Sequence, residues 1–154
     1  TPKDMRPVEI NVDVIGMGAG VVDRLRQLGL PVRGINVSES PATGSRETYY
    51  NLRAELWFKA KEWFNARDVV LSVCSCNRCT LCDMIAELTA VRYKFAGSSQ
   101  ALQIESKDDM KKRGMPSPDL ADALILTFAT DAGILLNPRT LKQKKLHRPI
   151  RGLV

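Results

Sequence analysis

The sequence predicts an α/β layered domain, and three observations carry that expectation. Short apolar runs alternate with longer segments whose apolar residues recur at helical spacing. A glycine-rich break joins the first run to the first such segment. With 154 residues and 44% hydrophobic content the chain suffices for one core, and a domain of this size buries roughly 70% of its extended-chain surface. No internal repeat or low-complexity tract interrupts the pattern.

Val8, Ile10, Val12 and Val14 alternate with Glu9, Asn11 and Asp13, the signature of a strand covered on one face, with Asp13 on its polar side. Gly16-Met17-Gly18-Ala19-Gly20 breaks that strand. Val21, Val22, Leu25 and Leu28 then mark a helix stopped by Gly29 and Pro31, and Val32 to Val37 reads as a second strand parallel to the first. After a loop from Ser38 to Ser45, a helix follows on Leu52, Leu56, Ala60 and Trp63. Its outer face carries Glu55, Lys59 and Glu62, while Trp57 and Phe64 widen the apolar stripe, so both tryptophans read as core.

Asp68 to Val73 is a short apolar run with strand character. From Thr80, residues Leu81, Ile85, Leu88 and Phe95 mark a helix ended by Gly97, Gln100 to Ile104 reads as a strand, and Lys107 to Arg113 as a short basic helix closed by Gly114. Ser117 is an N-cap with Pro118 in the first helical position, opening a helix that reaches Thr130 with Leu120, Leu124 and Phe128 facing the core. Beyond Asn137-Pro138 the periodicity fades and basic residues dominate. The expected division is a domain over residues 1–137 and a basic tail over 138–154.

Twenty-three Lys and Arg against 17 Asp and Glu give a net charge of +6. That balance favours a polyanionic partner such as nucleic acid. The charge is clustered, with Lys107, Lys111, Lys112 and Arg113 in one segment and Arg139, Lys142, Lys144, Lys145, Arg148 and Arg151 in the tail. No apolar run is long enough for a membrane span and no signal-peptide pattern opens the chain, so a cytoplasmic setting without membrane partners is expected. The start at Thr1-Pro2 suggests a fragment or processed product.

The acidic residues point to chemistry. Asp119 in a first helical turn complements the helix dipole, which is reason enough for one carboxylate there. Asp122 shares its face at i, i+3, and like charges on one face cost stability unless a cation joins them. The pair reads as half of a metal site, with Asp13 supplying the other half from the sheet; Mg²⁺ or Mn²⁺ suits an all-oxygen shell. Two such metals stabilise the attacking and leaving oxygens of a phosphodiester displacement.

Gly16-x-Gly-x-Gly20 departs from dinucleotide-binding spacing by one place, so a tight strand-to-helix turn is the better explanation. Cys74, Cys76, Cys79 and Cys82 could hold Zn²⁺, but structural zinc sites separate their ligand pairs by a longer loop and Cys82 falls in the expected helix. Lys107, Lys111, Lys112, Arg113 and the loop residue Arg46 are candidates for DNA phosphates. His147, the sole histidine, lies in the basic tail.

Four strings in order carry a resemblance: Asp13-Val-Ile-Gly-Met-Gly-Ala-Gly-Val, Asn51-Leu-Arg-Ala-Glu-Leu-Trp57, Glu105-Ser-Lys-Asp-Asp-Met-Lys-Lys-Arg-Gly114, and Ser117-Pro-Asp-Leu-Ala-Asp-Ala-Leu124. Together they resemble the nuclease domain of tailed-phage large terminase subunits. The resemblance implies an RNase H-like mixed sheet flanked by helices, here partial, related to Holliday-junction resolvases. It implies a two-metal endonuclease that cuts concatemeric double-stranded phage DNA during genome packaging in the host cytoplasm. Its partners would be the terminase ATPase domain, the small terminase subunit and the portal.

By the same resemblance Asp13, Asp119 and Asp122 take catalytic, metal-binding places. The family's first catalytic aspartate lies on an earlier strand that nothing before Val8 supplies, since Asp4 sits among prolines and Glu9 is about 13 Å along the strand from Asp13. No Gly-x-x-x-x-Gly-Lys-Ser/Thr loop of the motor occurs either. The isolated chain is therefore expected to be inactive or incomplete, with a non-catalytic DNA-binding remnant or a resolvase-like nuclease as the competing readings.

Overall fold

The computed structural model describes residues 7–66, 69, 79–97 and 99–129. Expectations for Asp4, the Asp68–Val73 strand apart from Val69, Cys74, Cys76 and the 138–154 tail with His147 lie outside these residues. The elements run β1 (Ile10–Asp13), α1 (Gly18–Gln27), β2 (Val32–Ile35), α2 (Leu52–Asn65), α3 (Thr80–Ala90), β3 (Tyr93–Ala96), β4 (Ala101–Ile104), α4 (Lys107–Lys112) and α5 (Asp119–Leu126), with 3₁₀ turns at Thr43–Ser45 and Thr127–Ala129.

β1 and β2 pair in parallel, Ile10 opposite Val32 and Asp13 opposite Ile35, so the helical crossover read from the sequence is present. Its turn shows why glycines are needed. Gly16 has φ +68°, a left-handed conformation. A Cβ on Gly18 would overlap the Asp13 carbonyl oxygen, and one on Gly34 would lie 2.5 Å from a Val14 methyl. The first turn of α1 thus sits directly on the end of β1.

β3 and β4 form an antiparallel pair, and the other edge of β4 is joined by the loop before α2: Leu102 N–H donates to Thr48 O (2.8 Å) and Tyr50 N–H to Leu102 O (2.9 Å). Among the described residues the two pairs are separate two-stranded sheets. α2 and α5 together unite them: α2 packs on β4 and α5, α3 packs on α5, and α5 reaches β1. The core cluster of Ala54, Leu56, Trp57, Ala60, Ile104, Ala121 and Ile125 lies at that junction. Ala54 and Ala121 are fully buried, and their small side chains permit close approach of helices. Burial of Leu56 alone contributes about 2 kcal/mol.

The expected helix from Thr80 to Gly97 stops at Ala90. Val91, Tyr93 and Phe95 alternate with Arg92 and Lys94, and that β-branched and aromatic alternation suits strand β3, whose hydrogen bonds to β4 override the local helical spacing. Ser117 is not the cap of α5. Pro118 takes that place, and the helix starts one residue later than expected, which brings Asp122 into its first turn. The core face of α5 is Ala121 and Ile125 rather than Leu120 and Leu124, with Phe128 partly buried beside them. Glu55 is not on an outer face. It is 1% exposed, its carboxylate accepting Ala42 N–H at 2.7 Å and pairing with Lys59 at 2.7 Å. Trp57 is core, whereas Trp63 is 39% exposed and packs edge-on against Phe64 and Phe128.

Candidate functional site

A cleft of about 560 Å³ opens between the end of β1 and the first turns of α2 and α5, and Asp13, Asp119 and Asp122 all line it. Residues more than a hundred positions apart therefore reach one cavity. Arg53, Ser106, Lys107 and Gln103 supply further polar lining, with Leu56, Ile104, Ile125 and Leu126 as its apolar floor.

The α5 wall is built from several elements at once. The loop after β2 ties down the start of α2, through Leu52 N–H to Glu39 O (2.8 Å) and Arg53 N–H to Val37 O (2.9 Å), and the Asn51 side chain caps the helix at Ala54 N–H (3.0 Å). Arg53 is thereby aimed at the cleft. Its guanidinium donates to Glu105 O (2.8 Å) and to Asp122 Oδ1 (3.1 Å), and the Trp57 indole N–H, one turn on, donates to the same Oδ1 (3.2 Å). Asp122 is 20% exposed and Arg53 14%, against 76% for Asp119, so the two carboxylates of one helix face occupy different surroundings.

Lys107 stands between them, its Nζ 3.2 Å from Asp122 Oδ2 and 3.3 Å from Asp119 Oδ1. Burial opposes the ammonium charge, but the Asp122 and Asp119 carboxylates outweigh it and raise its pKa. Asp119 is held below the usual carboxylate range by the Ser117 hydroxyl, which donates at 2.6 Å, and then by Lys107. The cation that the i, i+3 pair demands is therefore present as a side chain. On the facing wall, Asp13 Oδ1 accepts the Ile15 N–H at 3.0 Å.

The α5 pair directs one oxygen from each carboxylate to a single point where a cation already sits, and the donor set is all oxygen, which suits Mg²⁺ or Mn²⁺. Among the described residues no three His, Cys, Asp or Glu side chains form a ready metal cluster, so Asp13 shares the cavity without joining the pair. By donor chemistry the α5 pair suits such an ion in the place Lys107 Nζ takes, with Asp13 elsewhere on the cavity lining.

The basic candidates separate. Lys107 lines the cleft. Arg113 is turned away from it, its guanidinium bridging Glu105 (2.7 and 2.8 Å) and Ala90 O (3.0 Å). Arg113 in turn depresses the Glu105 pKa, so that carboxylate ties β4 to α4 and α3 and does not face the cavity. Lys111 and Lys112 are exposed on α4, near Asp108 and Asp109 at 3.9 and 3.3 Å, and Arg46 is exposed after the 3₁₀ turn. Cys79 and Cys82 have their sulfurs 3.5 Å apart at the start of α3.

Sequence reasoning missed Arg53 and Trp57. The available signal was their i, i+4 spacing at the start of an amphipathic helix, which stacks a cation near an indole; the guanidinium lies 6.0 Å from the ring centroid.

An α/β domain with carboxylates converging on a cleft is the class that fold and site define. The particular likeness is to solved terminase structures. The nuclease domain of the large terminase subunit gp2 of bacterial virus Sf6 superposes with a TM-score of 0.64 at 24% identity, covering 80% of this chain and 66% of that one. A point mutant of that domain solved with manganese gives 0.63 at 23% over 80% and 66%, and one solved with calcium gives 0.63 at 24% over 80% and 65%. The chain thus has the fold of a terminase nuclease domain and spans 66% of its length. No protein-family model and no curated protein matches the chain.

Proposed function

We propose that this chain is the nuclease portion of a phage large terminase, a metal-dependent endonuclease that cleaves concatemeric double-stranded DNA during genome packaging. The observation that carries the reading is the single cleft that gathers Asp13 with the cation-bridged Asp119 and Asp122 on this fold. In this reading Asp13, Asp119 and Asp122 hold Mg²⁺ or Mn²⁺, which when bound supplies charge stabilisation to the attacking and leaving oxygens of phosphodiester hydrolysis.

The chain's own residues bind and orient. The i, i+3 carboxylates on a helix start offer a rigid pair of oxygens, and the apolar floor of Leu56, Ile104 and Ile125 limits the water around them. Exposed Lys111 and Lys112 meet DNA phosphates outside the cut, and Lys107 leaves its carboxylates for phosphate or stays to balance their charge. The partners are double-stranded DNA, the terminase ATPase domain, the small subunit and the portal, in the host cytoplasm. The domain assignment of residues 1–137, with 138–154 as a basic tail, belongs to the same proposal.

Supercoiled plasmid incubated with the chain, or with a version extended upstream, plus Mg²⁺ or Mn²⁺ tests it. Metal-dependent nicking abolished by Asp13→Asn or Asp119→Asn is expected. A preference for four-way junctions over linear duplex would favour a resolvase-like nuclease. Absence of nicking from the extended version would leave a DNA-binding remnant.

A further inference from the structure

The two oxygens of Asp122 share the Arg53 guanidinium but differ in their other partners, Trp57 for Oδ1 and Lys107 for Oδ2. Oδ1 takes the Arg53 guanidinium at 3.1 Å and the Trp57 indole N–H at 3.2 Å, both from the buried side. Oδ2 receives the same guanidinium nitrogen at a longer 3.4 Å and lies 3.2 Å from the Lys107 ammonium that also meets Asp119 Oδ1 at 3.3 Å. A free aspartate on a helix would rotate among its rotamers and present either oxygen. Here two donors from α2, themselves fixed by Glu105 O and by the core, remove that freedom.

We infer that Arg53 and Trp57 are positioning residues that turn Asp122 so that Oδ2 and Asp119 Oδ1 converge on one cation position. The inference rests on the proposed metal site and adds to it the groups that set its geometry. Donors behind a ligating carboxylate act by fixing its orientation, and losing one typically costs about ten- to a hundredfold in metal affinity. The indole matters as a donor as well as by its bulk: Trp57→Phe keeps the core ring and removes the N–H. Arg53→Lys keeps the charge and removes the planar fork that reaches both Glu105 O and Asp122.

The test is Mn²⁺ binding to the full chain by titration calorimetry, for the wild type, Asp119→Asn, Asp122→Asn, Trp57→Phe and Arg53→Lys, with circular dichroism as the control for folding. The expected result is affinity reduced about ten- to a hundredfold in Trp57→Phe and Arg53→Lys with the fold intact, and a larger loss in the two aspartate variants. As a second measurement that needs neither substitution, Mg²⁺ is added to a Trp63→Phe chain, where Trp57 emission shifts as its acceptor carboxylate engages the ion. Affinity unchanged in both α2 variants while Asp122→Asn abolishes binding would overturn the positioning role alone, as would a silent Trp57 during metal uptake. Binding indifferent to Asp119→Asn and Asp122→Asn would overturn the metal site, and this inference with it.

Discussion

On the α5 wall of the cleft, Asp122 is held by Arg53, Trp57 and Lys107, drawn from α2 and α4, whereas on the β1 wall Asp13 accepts one backbone N–H, from Ile15. Among the described residues no ion pair reaches Asp13. Both walls present carboxylate to the same cavity, yet one is charge-balanced by its own protein and the other is not. A balanced carboxylate stabilises the fold and resists movement. An unbalanced one gains little stability from being there and is the more available to an added cation.

The largest expected effect separates the walls directly. Asp122→Ala strands the Arg53 guanidinium in a largely buried position and should lower unfolding free energy by about 3 kcal/mol, measured by urea denaturation. Asp13→Asn should change it by less than about 0.5 kcal/mol while removing metal-dependent nicking. Equal stability effects would erase the distinction between the walls.

Next comes the support beneath the open wall. Gly18→Ala places a methyl against the Asp13 carbonyl, and overpacking of that kind typically costs about 1–3 kcal/mol. A melting temperature equal to that of the wild type would mean that α1 can shift freely on β1.

A smaller effect is expected from pH. The Glu105 carboxyl, depressed by Arg113 below its ordinary 4.5, and Asp119, depressed below 3.8, contribute stability fully above those values and lose it as pH falls through their lowered pKa. Lys107, raised above 10.5, contributes fully below that pH and loses its share as pH rises through its raised pKa. Stability should therefore be level across the neutral range. Glu105→Gln should remove part of the acid-side fall, and an identical acid limb in that variant would deny the Glu105–Arg113 pair its role.

The smallest effect on stability belongs to Lys111→Glu with Lys112→Glu, within about 0.5 kcal/mol because both side chains are exposed. Duplex binding should nevertheless weaken and its dependence on salt flatten. An unchanged salt slope would exclude α4 from the proposed DNA surface.

Much of the fold was legible because it is written in local pattern. The alternation from Val8 to Val14, the glycine break and the helical spacing of Leu52, Leu56 and Ala60 each mark their element within a few residues. The exchange of helix for strand at Tyr93–Ala96 was not, since that segment's partner lies in β4 and long-range hydrogen bonding decided between two locally acceptable states. Glu55 shows the same limit: an acidic residue on a helix looks solvated until a buried loop N–H, Ala42's, is found in front of it.

The candidate site divides along that line too. The residue types and spacing of Asp13, Asp119 and Asp122 are properties of the sequence, as is the demand of an i, i+3 acidic pair for a cation. That this cation is Lys107, that one carboxylate is locked by Arg53 and Trp57, and that Arg113 serves Glu105 rather than the cleft were decided by the tertiary structure. Coulombic and hydrogen-bonding preferences require that charge be matched, but the partner is whichever group the packing of α2, α4 and α5 brings within about 3 Å, and no local pattern encodes that distance.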